Sequence, residues 1–83
     1  MPLYMDVHRG LEGLTAQDVA KAHKRDLEVQ EKYGVNFLKY WFNEKDGTVF
    51  CLSEAPSKEA SEAVHREANG GMADEIIEVV EGL

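Results

Sequence analysis

The chain has 83 residues, 16 acidic and 9 basic, for a formal charge of −7. That length suits one domain, residues 1–83, with a thin core that buries about 60% of the unfolded surface. The acidic balance argues against nucleic acid or an anionic membrane surface as partner, and 43% hydrophobic beside 30% charged residues argues against disorder. No apolar run approaches the roughly 18 residues of a spanning helix, and the opening MPLYMDVHRG lacks a signal-peptide layout. The single cysteine, Cys51, has no partner for an internal disulfide, so a soluble cytoplasmic protein is expected.

Leu3 to His8 alternates, with Leu3, Met5 and Val7 on one face and Tyr4, Asp6 and His8 on the other, which is the period of a strand. Gly10 and Gly13 punctuate a loop. Thr15 with Asp18 then resembles a capping box, and Leu14 with Val19 a hydrophobic staple. The pattern predicts a helix from Ala16 to Tyr33, stopped by Gly34, with an apolar stripe of Ala16, Val19, Ala20, His23 and Leu27. Phe37 to Phe42 and Thr48 to Leu52 flank an Asp46-Gly47 turn signal and predict a hairpin. Ser57, after Pro56, caps a second helix from Lys58 to Asn69, with Ala60, Ala63, Val64 and Ala68 inward and Gly70-Gly71 as its stop. Glu75 to Val80 closes the chain as a short strand.

The order β-α-β-β-α-β predicts an α+β, ferredoxin-like fold: a four-stranded antiparallel sheet with both helices on one face. The hairpin strand is bulky at both parities, with Phe37 and Trp41 on one side and Leu38, Tyr40 and Phe42 on the other. Helices cover only one face, and monomers avoid large exposed apolar patches. A homodimer that packs open sheet faces together is the expected cover, with a partner protein as the alternative.

Asp6 and His8 lie two apart on one strand face, about 7 Å between Cβ atoms. A carboxylate and an imidazole there can share a divalent metal, act as an acid/base pair, or simply hydrogen-bond as polar residues of a dimer face. His23 falls within the apolar stripe of the first helix with Asp26 three residues on, and His65 lies in the second helix beside its stripe. Either can be a structural imidazole, one buried and hydrogen-bonded, the other solvated at a helix end. Topology brings the three histidines to one half of the fold, where with Asp6 they have the donor types of a metal site. Cys51 reads as a small buried hydrophobe in a core strand, and Glu54 as a local hydrogen-bonding residue. No phosphate loop, paired-cysteine motif or Ser-His-Asp set is present.

With these residues in view, the chain resembles a small actinobacterial-type family of nickel-binding ferredoxin-like proteins. The resemblance runs through Tyr4-Met5-Asp6-Val7-His8, Ala22-His23 with Asp26-Leu27, Tyr33-Gly34-Val35, Lys39-Tyr40-Trp41-Phe42, Phe50-Cys51-Leu52, Glu54-Ala55-Pro56 and Val64-His65-Arg66-Glu67-Ala68. It implies a dimeric α+β barrel that binds nickel through histidine and carboxylate ligands, with no established reaction. The metal role carries over to Asp6, His8, His23 and His65. Relatives are expected often to have a histidine where this chain has Asn69, and asparagine is a poor ligand for a late first-row metal.

The reading that results is a homodimeric cytoplasmic protein that sequesters, buffers or uses nickel structurally. Zinc, cobalt and copper compete for the same donors, and affinity is expected to fall steeply below about pH 6 as imidazoles protonate. The alternative is a barrel enzyme, a small isomerase or cofactor-free oxygenase, with Asp6, His8 and Tyr40 around a pocket on the open sheet face. A third reading is an interaction module that uses Trp41 and Phe42.

Overall fold

The computed structural model describes residues 1–83. Strand β1 (Leu3–His8) leads into helix α1 (Ala16–Val29), and a hairpin follows, made of β2 (Asn36–Asn43) and β3 (Thr48–Glu54). Helix α2 (Lys58–Asn69) and strand β4 (Glu75–Val79) complete the chain. The sheet is antiparallel with order β2-β3-β1-β4, so β1 and β3 are the inner strands and the fold is α+β as expected.

Local chemistry explains the element ends. The Thr15 hydroxyl accepts from the Asp18 amide while Asp18 accepts from the Thr15 amide, so the capping box forms. Ser57 likewise accepts from the Ala60 amide at the start of α2. The first helix is shorter than the pattern predicts. It tightens into a 3-10 segment over Gln30–Tyr33, which Gly34 ends at φ 67°, a conformation that favours glycine. The tightening frees the Gln30 side chain, whose Oε1 accepts from the Phe37 amide and seats the start of β2.

Register divides the residues between two faces. Toward the helices lie the rows Tyr40–Cys51–Asp6–Ile76 and Phe42–Val49–His8, and toward the open face the row Trp41–Phe50–Val7–Glu75. The predicted parity of β2 is corrected here. A bulge between Phe37 and Lys39 adds one residue and reverses the alternation, so Phe37 joins Tyr40 and Phe42 under the helices and leaves Trp41 on the other face. The core is small: Tyr4, Val19, Val35, Phe37, Val49, Cys51, Ala55 and Val64. The open face leaves Trp41 48%, Phe50 37% and Ile77 50% exposed in the single chain.

The loop after β1 is tied to the hairpin turn. The Leu11 amide donates to the Gly47 carbonyl at 3.0 Å, and a Cβ at residue 47 would lie 2.6 Å from the Leu11 carbonyl oxygen. No helix is long and apolar enough to cross a membrane.

Candidate metal centre

Asp6 sits on an inner strand with its side chain fully buried beneath α2, a costly position for a carboxylate unless it is paired. Two imidazoles pair it. His8 donates Nε2–H to Oδ1 at 2.9 Å, and His65 donates Nε2–H to Oδ2 at 2.8 Å. The other His65 nitrogen, Nδ1, donates to Asp26 Oδ1 at 3.1 Å. Asp26 accepts in turn from Asn69 Nδ2 at 3.1 Å, and Asn69 also caps the Ala22 carbonyl. The order Asn69–Asp26–His65–Asp6–His8 thus links α2, α1 and β1 through one buried polar chain.

The electrostatics follow from those contacts. Burial opposes ionisation of Asp6, but hydrogen bonds from His65 and His8, and their charge, outweigh it and hold the carboxyl below its ordinary value. Burial likewise opposes charging of His65, yet its bonds to Asp26 and Asp6 push it up to about 9. His65 is therefore an imidazolium held between two carboxylates at neutral pH. Cys51 lies directly across from Asp6, and burial, then the negative charges of Asp6 and Asp26, push its thiol up.

One donor atom each from Asp6, His8, Cys51 and His65 lies within 4.8 Å of the other three. A carboxylate, two imidazoles and a thiol suit a borderline divalent ion, so the residues present fit a late first-row metal. The structure brings together Asp6, His8 and His65 of the four residues named from the sequence. His23 stands apart from that group. Its ring packs against Tyr40 with centroids 4.6 Å apart, and its Nδ1 is buried without a hydrogen-bond partner.

Two residues were missed as parts of the cluster. Cys51 read only as core because the alternation of β3 does not say which face meets Asp6. Asp26 read only as lying three residues after His23, although its spacing of seven from Val19 places both on one helix face. Two expectations are corrected. His65 is 4% exposed and doubly bonded, not solvated at a helix end. Asp6, His8 and Tyr40 face the helices, because Tyr40 and Asp6 share the Cys51 row, so they cannot line a pocket on the open face. A cavity between the layers has a volume of about 240 Å³ and is lined by His8, His23, Tyr40, Cys51 and His65 among others. Glu54, as expected, bonds locally, accepting from Asn36 Nδ2.

The family model described as "Nickel responsive protein SCO4226-like" matches residues 4–79. A crystal structure of SCO4226 from Streptomyces coelicolor A3(2) superposes with a TM-score of 0.91 at 44% identity, covering 98% of this chain and 99% of that one. A search of curated proteins gives no match.

Proposed function

We propose that this chain, which belongs to the SCO4226-like family of nickel-responsive proteins, is a cytoplasmic homodimer that binds nickel and serves to sequester or buffer it. The observation that carries this reading is the convergence of Asp6, His8 and His65, with Cys51, on one buried spot of the fold. In this reading Asp6 Oδ, His8 Nε2 and His65 Nε2 are the ligands, and His23 stays in the cavity wall. A bound ion supplies the positive charge that the imidazolium proton of His65 now supplies to Asp6. Asp26 and Asn69 orient His65 from behind, as partners of ligating histidines generally do. Asn69 thus has a use that does not require it to be a ligand.

Ligands bind metal deprotonated. Since His65 keeps its proton up to about 9, uptake releases that proton, and nickel affinity rises with pH well beyond the range where free imidazole has titrated. The dimer is supported by the exposed Trp41, Phe50 and Ile77, which a second copy would cover. The free, buried thiol of Cys51 suits a reducing compartment.

Calorimetric titration of the stripped protein with nickel tests the reading. Wild type is expected to bind nickel with proton release, and His8→Ala, which removes a ligand, to lose at least the roughly 10- to 100-fold in affinity usual for losing even a supporting group at a metal site. Equal binding by wild type and variant would remove His8 from the site. No binding by either would leave the cluster a structural ion network.

A further inference from the structure

A cluster of four donors explains the floor of the interlayer cavity but not the rest of it. His8, Cys51 and His65 form that floor, and above it the walls include Leu14, Val19, Ala22 and Val49, with the tilted rings of Tyr40 and His23 alongside. At about 240 Å³ the space approaches the roughly 300 Å³ at which small-molecule pockets begin. An ion with a water shell gains nothing from aliphatic walls, because ordered water needs two or more polar partners. The apolar half of the cavity fits the body of a small organic molecule, which can pack on an aromatic side chain. His8 keeps 19% of its side chain exposed, so the floor is reached from solvent.

We propose that the cavity takes nickel as a complex with a small, flat, aromatic N,O-chelator, the protein donors holding the ion and the aliphatic walls holding the organic body. The inference rests on the nickel reading above and names the form of the cargo. A chelator with one negative charge leaves the ion a net positive charge, which suits a site with Asp6 as a ligand and Asp26 behind His65.

The probes are nickel alone, nickel with picolinate and nickel with glycinate, titrated calorimetrically into the metal-free protein. Picolinate and glycinate present the same donor pair and charge, but only picolinate has an aromatic body. Nickel–picolinate is expected to bind at least about 10-fold more tightly than nickel–glycinate, a difference of about 1.4 kcal/mol. Ala22→Leu, which fills the wall without touching a donor, is expected to bring that ratio to about 1 while nickel alone binds as in wild type. Circular dichroism of the variant confirms that it is folded. If nickel alone binds and the two chelates bind equally, the chelate inference falls and the nickel reading stands. If neither nickel nor its chelates bind, both fall. Picolinate binding as tightly without metal as with it would also overturn the inference, by showing a plain aromatic pocket.

Discussion

The imidazole of His65, only 4% exposed, holds two protons between Asp26 and Asp6. Its ordinary value is 6.5 and its folded value about 9, so the native state binds a proton that the unfolded chain gives up between those limits. The stability this contributes is whole below about pH 6.5 and is lost as pH rises through about 9. Urea unfolding of the metal-free protein is therefore expected to show a lower midpoint at about pH 9 than at about pH 6, and equal midpoints would mean a neutral His65. Asp6 acts at the other end: held low, it keeps its contribution above 3.8 and loses it in acid. The Asp6–His8 pair was legible in the sequence because residues two apart on a strand share a face. The part played by Asp26 was not, since a charge on a helix reads as solvent-facing until its partner on another helix is known. His65 was legible as a neighbour of the stripe Ala60, Ala63, Val64 and Ala68, but nothing local names Asp6 as its acceptor.

At the scale of elements, the helix caps, the turn and the strand limits all follow from short patterns, and they were read within a few residues of where they stand. The bulge in β2 was not readable. Leu38 has no turn chemistry, and the shift arises because Phe37 must stay with Ser53 while Tyr40 pairs with Cys51. One extra residue put Phe37 and Trp41, assigned to one face, on opposite faces, as any slip of one does in a period of two. The turn at Gly47 makes a sharper demand. With φ 63° and the Leu11 carbonyl 2.6 Å from where a Cβ would stand, Gly47→Ala is expected to destabilise the protein by about 1–3 kcal/mol. Thermal unfolding checks this, and an unchanged midpoint would mean that the loop over Gly10–Gly13 moves aside freely.

The whole molecule is two layers with one side bare. Val7 and Phe50 stand beside Trp41 on a surface that no helix reaches, and the expectation of self-association survives the reversal of β2 because Trp41 is as apolar as the residues it replaced there. Trp41→Glu is expected to convert a dimer to a monomer at micromolar concentration, since a desolvated carboxylate at a symmetric contact meets its own copy. Light scattering reads the mass directly: a monomeric wild type would overturn the proposed dimer, and a variant still dimeric would move the contact elsewhere. The sequence pointed to the need for a cover but not to which residues need it, since that depends on where the alternation breaks.

Asp6 and Cys51 face each other across the two inner strands, away from either edge of the sheet. Edge strands are where a sheet frays, so nothing lodged against these two residues leaves that way. Above them α1 and α2 are clasped by Asp26, Asn69 and His65. For the nickel proposed above, the same side chains that would hold the ion also hold the two helices together, so binding there and helix packing are coupled.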